Sequence, residues 1–349
     1  MNEKSTAEIW GEYILECKDP MDDIIYAAFI NSVTFIANCI IVDYMNNVTI
    51  VFKYDNTSRW GDVMTFLGKY TAKLTVDSRL IPNAFIKGLR QNLGFVLCLK
   101  KSPFNANQLF WNAKIKQIEG NGEIFLQFAE YDIEINVPVF NITFPQSGYV
   151  FQKFLTYTNW TTPHLEVQIN GFNANQFSTF LFQPKNSVKK FCFKFSFTYF
   201  QSCVKLLNEL IRVFPNLETL ELDFQPEEES HLFCIFQKEI NGVVDWSVNP
   251  KSLRDSFRDI TIGALEFIEK KKKLNLKIKY HLNLFQNIVF LSDAALAKEY
   301  IHFMRRTFRD FLYLKTNDSA VNITRSFYRT FNVDTVEFDY AVNITEEQK

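Results

Sequence analysis

From residue 46 onward, apolar and polar residues alternate between two periods, one of strands and one of helices. Asn47 to Tyr54 (NVTIVFKY) is β-branched with a period of two, and Trp60 to Leu67 follows at helical spacing. Tyr70 to Val76 reads as a strand, Pro82 to Leu89 as a helix and Gly94 to Leu99 as a strand. Between Ala113 and Phe144 the pattern predicts four short strands: Ala113 to Ile118, Glu123 to Phe128, Asp132 to Val137 and Phe140 to Phe144. Gly120-Asn121-Gly122 supplies a turn between the first two, so a hairpin insertion is expected over 113–144. Alternation then resumes with a helix at Tyr149 to Tyr157, a strand at His164 to Ile169 and a helix at Ala174 to Leu181. Val188 to Phe197 is the next strand, Cys203 to Val213 a helix and Leu217 to Phe224 a strand. The pattern closes with helices at Leu253 to Glu269 and Asp293 to Arg306, and strands at Leu274 to Tyr280, Ile288 to Leu291, Asp310 to Leu314 and Thr335 to Tyr340. Residues 1–45 read differently. Asp19-Pro20 suits a helix start, and Ile24, Ile25, Ala28, Ser32, Phe35, Ile36 and Cys39 recur at helical spacing, which predicts a helical N-terminal segment.

Strand–helix units repeating every ~20–29 residues are the mark of a leucine-rich-repeat-like solenoid. The expected fold is therefore α/β: a short helical segment over 1–45, then a repeat region over 46–344. Leu210 to Leu222 (LIRVFPNLETLEL) carries the sharpest repeat pattern, with Leu217, Leu220 and Leu222 in L-x-x-L-x-L order. A doubly wound sheet would show similar alternation, but usually with a glycine-rich phosphate turn after its first strand. The chain holds 11 glycines and no G-x-G-x-x-G. No Pro/Gly/Ser-rich linker interrupts the alternation, so one continuous body is expected, its repeats sharing a core.

Phenylalanine fills that core. There are 37, more than glycine, proline, cysteine and methionine together, in a chain of 349 residues. On the strand VKKFCFKFSF, alternation puts Phe191, Phe193, Phe195 and Phe197 on one face, with Lys194 toward solvent. Charge adds little: 38 basic residues balance 39 acidic ones, which gives no argument for nucleic acid or an anionic membrane as partner. No apolar run reaches the ~18 residues of a membrane span, and the start of the chain lacks the order of a secretory signal. Six cysteines without a C-x-x-C pair fit a reduced cytoplasmic or nuclear setting. Asn47, Asn56, Asn141, Asn159, Asn317, Asn322 and Asn343 open N-x-S/T triplets, read as by-products of a high Asn content.

Catalytic signatures are missing from the sequence. His164, His231, His281 and His302 lie outside H-E-x-x-H and outside zinc spacing with cysteine. There is no phosphate-binding G-x-x-x-x-G-K-S/T and no G-x-S-x-G nucleophile elbow. Cys98 and Cys192 fall in apolar strands, which raises a thiol's pKa. Lys270 to Lys273 and Arg305, Arg306 and Arg309 end predicted helices, where cations complement the dipole. The expectation is a protein that is not an enzyme, takes no cofactor, metal or small-molecule substrate, and binds another protein.

Two stretches resemble F-box proteins of the nematode type. Ile14 to Ile40 (ILECKDPMDDIIYAAFINSVTFIANCI) is similar to the second half of an F-box, with Asp19-Pro20-Met21-Asp22 opening the helix. Tyr13-Ile14 stands where such motifs open on Leu-Pro. The region around VKKFCFKFSF and LLNELIRVFPNLETLELDF is similar to the repeat domains those proteins carry C-terminally. The resemblance implies a substrate-binding adaptor of a cullin-RING ubiquitin ligase, gripping a Skp-type adaptor through Pro20, Met21, Ile24 and Ile25. A repeat-based binding or regulatory protein unrelated to ubiquitination is the alternative, with the same four residues capping the open end of the solenoid.

Overall fold

The structure is a computed structural model that describes residues 30–36, 39–45, 49–53, 59–145, 148–173, 183–199, 203–226, 236–240, 243–247, 263–270, 274–288, 313–318, 322–333 and 336–348. It is mixed α/β, with mostly parallel strand pairing and seven helices among the described residues. The chain divides into two compact units: Met1–Phe144 with Lys153–Glu166, and Pro145–Gln152 with Val167–Lys349. Among the described residues, no helix is long and apolar enough to cross a membrane.

The first unit opens on an antiparallel meander of β1 (Ile30–Ile36), β2 (Cys39–Tyr44) and β3 (Thr49–Lys53). Residues 30–36 and 39–44 are thus two strands and not the expected continuation of a helix. Spacing fits both templates here, but Ile30, Val33, Thr34, Ile36, Ile40, Ile41 and Val42 are β-branched and lose rotamer freedom in a helix. Burial follows a period of two: Val33 and Phe35, then Ile40, Val42 and Tyr44, are buried. The rest of the expected helix, including Pro20, Met21, Ile24 and Ile25, lies outside the described residues.

From β1 the ladder turns parallel. Helix α1 (Arg59–Tyr70) leads to β4 (Lys73–Asp77), α2 (Asn83–Leu89) to β5 (Phe95–Leu99), and α3 (Ala106–Phe110) to β6 (Ile115–Asn121). Then come α4 (Gly122–Glu130), β7 (Ile135–Asn136), β8 (Val139–Phe144), α5 (Gly148–Tyr157), β9 (Trp160–Thr161) and β10 (His164–Asn173). Strand order is β3-β2-β1-β4-β5-β6-β8, and every pair from β1 to β8 is parallel. The expected hairpin over 113–144 is therefore absent. Gln117 pairs with Val139 in parallel register across a helical crossover. Asn121 belongs to a helix start and not to a turn, since its side chain accepts a hydrogen bond from the Glu123 amide at 2.9 Å. Ile124, Phe125 and Phe128 are buried along one side of α4.

The second unit holds β11 (Lys190–Tyr199), α6 (Cys203–Val213) and β12 (Thr219–Pro226). It continues with the antiparallel pair β13 (Phe236–Ile240) and β14 (Val243–Ser247), a helix α7 over 263–270, and β15 (Asn275–Ile288). β16 (Tyr313–Asp318), β17 (Asn322–Val333) and β18 (Val336–Gln348) close the chain. Order here is β11-β12-β15-β18-β17-β16, parallel as far as β18 and antiparallel beyond it. The elements expected at 174–181, 288–291 and 293–306 lie outside the described residues, except that Ile288 ends β15.

Aromatic rings pack the space between strands and helices. In the first unit Phe125 meets Phe140 edge to face at 4.8 Å, and Phe140 and Phe154 both reach Trp160. In the second, Phe191, Phe193 and Phe195 are buried and Lys194 is exposed, the register that alternation predicts. Phe197's side chain lies outside the described residues.

The Tyr44 hydroxyl is buried with no hydrogen-bond partner among the described residues, and burial pushes its pKa up to about 12. Tyr44→Phe removes that desolvation cost while keeping the ring. We expect a stability gain of roughly 1 kcal/mol, read as a higher urea midpoint. A loss of similar size would mean that the hydroxyl is bonded in solution.

Candidate interaction surface

Within each unit, the strands bury alternate residues against the helices. Phe35 of β1 meets Phe85 of α2 at 4.8 Å, and Phe140 of β8 meets Phe154 of α5 at 5.7 Å. Residues of the opposite parity stand half-exposed, and this open face carries the polar side chains.

In the first unit, parallel register places Ser32, Lys73, Val96, Gln117 and Val139 in one row, with Thr34, Thr75, Cys98, Glu119 and Asn141 in the next. Lys73 Nζ reaches Glu119 Oε2 at 3.1 Å, and Gln117 donates to Glu119 Oε1 at 2.8 Å. Ser32 Oγ donates to Asp43 at 2.7 Å. Cys98 sits among these groups. Burial raises its thiol pKa and the Glu119 charge adds to this, against smaller opposing effects of Lys73, Lys100 and a Thr75 hydrogen bond. Cys98 thus stays a thiol at neutral pH, in line with the sequence reading. On β10, His164 Nε2 lies 3.0 Å from Glu166.

The second unit arranges its charge strand by strand. β11 offers Lys190 and Lys194, β12 Glu221 and Asp223, β15 Lys277, Lys279 and His281, and β18 Glu337. Register aligns Cys192, Glu221, Lys277 and Glu337 in one row. Ion pairs link Lys190 to Glu221 at 3.2 Å, Lys277 to Glu337 at 2.9 Å and His281 to Asp223 at 3.0 Å. The pairs are part-exposed and each contributes only ~0–1 kcal/mol. Exchanging neighbouring strands would set like charges opposite each other, so the ladder favours this strand order.

Sequence reading missed this ladder, although a signal was present. K-x-C-x-K, E-x-D, K-x-K-x-H and E-x-D fall on four strands of matching parity, with signs that alternate from one strand to the next. The histidines and lysines singled out for chemistry have ordinary partners or lie elsewhere. His281 pairs with Asp223, Lys270 ends α7 exposed to solvent, and His231, His302 and Arg305 to Arg309 lie outside the described residues.

The ladder has a pH signature. Burial raises the Asp223 carboxyl, but the hydrogen bond and charge of His281, with Lys194 and Lys279, outweigh it and hold the group below the usual Asp range. Glu221 is lowered in the same way, its burial outweighed by Lys190, Cys192 and Lys277. A depressed folded pKa gives stability that is fully present above the unfolded value and is lost as pH falls through the folded one. The urea midpoint should therefore fall as pH drops below about 4, and Asp223→Asn should make that fall smaller. An unchanged acid limb in the variant would sink the assignment.

Comparison with known protein families and with curated proteins returns no match.

Proposed function

We propose that the chain is a protein–protein interaction module of the leucine-rich-repeat-like solenoid kind, acting in the cytoplasm or nucleus. The observation that carries this reading is the strand order. Within each unit the parallel strands follow chain order without reversal, whereas a doubly wound sheet reverses at the crevice where it binds its ligand. Hydrogen bonds between successive crossovers support the same repeat. Asn92 donates to Gly68 O at 3.0 Å, Asn105 to Ile81 O at 2.7 Å and Thr162 to Pro138 O at 3.3 Å, each across a separation of 24 residues. That spacing fits a leucine-rich-repeat period of ~20–29 residues. Such stacks expose a broad binding surface and need no catalytic group.

The more specific form of the proposal, drawn from the F-box resemblance, is a substrate-binding adaptor of a cullin-RING ubiquitin ligase. It is tested by titrating the purified chain with a Skp-type adaptor in a calorimeter. Binding is expected, and Pro20→Ala and Ile24→Asp should each weaken it. No binding by the unmodified chain removes the ligase role and leaves a repeat-based binding or regulatory protein unrelated to ubiquitination. Binding that survives both substitutions places the contact elsewhere and removes Pro20, Met21, Ile24 and Ile25 as the docking residues.

A further inference from the structure

A groove of about 460 Å³ lies in the first unit, where the segments that leave β4 and β5 meet α4. Arg79, Lys100 and Lys101 line one part of it, and Phe104, Ile124 and Tyr131 the other. Phe104 and Tyr131 are 75% and 59% exposed, large aromatic surfaces for rings that the rest of this chain so often buries. The cations are only partly matched. Lys101 is held by Asp77 at 2.6 Å, while neither Arg79 nor Lys100 has an acidic partner among the described residues. Arg79 instead lies 5.9 Å over the Phe104 ring.

Backbone hydrogen bonds fix the walls. The Phe104 amide donates to Arg79 O at 2.8 Å, and the Lys100 and Lys101 amides both donate to Val76 O, at 2.9 and 3.1 Å. Asn105 clamps Ile81 from both sides, donating to its carbonyl at 2.7 Å and accepting from its amide at 3.3 Å. Two segments from different crossovers are thereby held together, so a ligand meets a pre-formed surface and loses little in ordering it. Exposed aromatics beside arginine are the composition of protein-binding hot spots.

We infer that this groove docks an acidic, partly apolar peptide segment of a partner protein, its carboxylates on Arg79 and Lys100 and an apolar side chain between Phe104 and Tyr131. The inference rests on the reading of the chain as an interaction module and narrows it to one surface. Charge complementarity selects the occupant. The groove has two cations without an acidic partner among the described residues, in a chain of net charge −1, which suits a short acidic segment better than a polyanionic backbone that needs a basic field along its length.

The test is fluorescence anisotropy of the full chain with a labelled ten-residue peptide of alternating Glu and Leu. A Gln/Leu peptide of the same length and a single-stranded DNA oligonucleotide serve as the other arms. The Glu/Leu peptide should bind, more weakly as salt rises, and the Gln/Leu peptide should bind about tenfold less tightly or worse. Arg79→Glu combined with Lys100→Glu should weaken the Glu/Leu peptide by about tenfold. Tyr131→Ala should weaken it while leaving the salt dependence in place. All three side chains are exposed, so unchanged circular dichroism is expected and certifies the fold. No binding of the Glu/Leu peptide, equal binding of the Gln/Leu peptide, insensitivity to the charge reversal, or preference for the oligonucleotide would each overturn the inference. Adaptor titration with the unmodified chain separates the two levels. If the Skp-type adaptor still binds while the peptide does not, the groove proposal falls and the interaction module stands.

Discussion

Gly88→Ala is expected to destabilise the protein by about 3 kcal/mol, at the upper end of overpacking effects, although helix propensity predicts the opposite sign. Glycine inside a helix costs roughly 0.5–1 kcal/mol relative to alanine, so an unconstrained replacement should stabilise. The crossing of α1 on α2 forbids it. A Cβ on Gly88 would strike the Thr65 carbonyl oxygen and come within 2.9 Å of the Lys69 amide nitrogen. Gly68, on the facing helix, would drive its own Cβ into the Phe85 carbonyl oxygen, with the Leu89 nitrogen at 3.0 Å. Every one of these obstacles is backbone, so no rotamer change relieves the clash and the helices must separate. Thr65 already spans the crossing, its hydroxyl within 3.2 Å of the Ala84 carbonyl as well as 2.9 Å from Gly61 O. Gly61, in the first turn of α1, is the internal control. Its Cβ would meet nothing within 4 Å, so Gly61→Ala should be neutral or stabilise by up to ~1 kcal/mol. Urea unfolding followed by circular dichroism measures all three. Equal effects at 61, 68 and 88 would mean that the two helices do not pack through their glycines.

This crossing also marks how far the sequence could be read. Both helices were legible from their apolar spacing, since Val63, Met64 and Leu67 in α1 and Phe85, Ile86 and Leu89 in α2 repeat at helical intervals and are buried. That two glycines touch across them was not, because a residue without a side chain leaves no mark in a hydrophobic pattern. The two misread regions failed for different reasons. In 30–44 the period is ambiguous, and β-branching, which favours strands, is what decides between the two templates. In 113–144 the Gly-Asn-Gly triplet outweighed the helical spacing of Ile124, Phe125 and Phe128 that follows it. Long-range placement explains the rest. The ladder of Lys190, Glu221, Lys277 and Glu337 is visible as parity within each strand, but its meaning depends on which strand lies beside which. The groove joins Arg79 to Phe104 through a backbone bond between segments whose nearness only the fold supplies. β17, with Arg325, Ser326 and Arg329 interrupting its apolar positions, offers a weaker period than the buried parallel strands and does not stand out in the sequence.

Phe193→Ala should cost about 3–5 kcal/mol, the range for truncating a fully buried phenylalanine. The ring is 1% exposed and stands in the middle of a row, 5.3 Å from Phe191 and 4.5 Å from Phe195 along the same strand. Phe172 meets it edge on at 5.0 Å and Phe151 packs at 5.8 Å, so its removal opens a cavity walled by four other rings. Those rings are themselves held, Phe191 by Phe214 at 4.8 Å and Phe195 by Phe224 at 5.3 Å, which limits collapse into the gap. Limited collapse places the cost toward the top of the range, because the penalty grows with the volume left unfilled. Phe193→Leu keeps most of the apolar volume and should cost less than half as much as Phe193→Ala. Lys194, one residue on, points to the open face, and Lys194→Ala should change stability by no more than about 0.5 kcal/mol. The contrast between neighbours reads out the strand's register directly. Urea midpoints in which Lys194→Ala costs as much as Phe193→Ala would mean that the two faces of β11 are exchanged, and with them the charge ladder built on the open one.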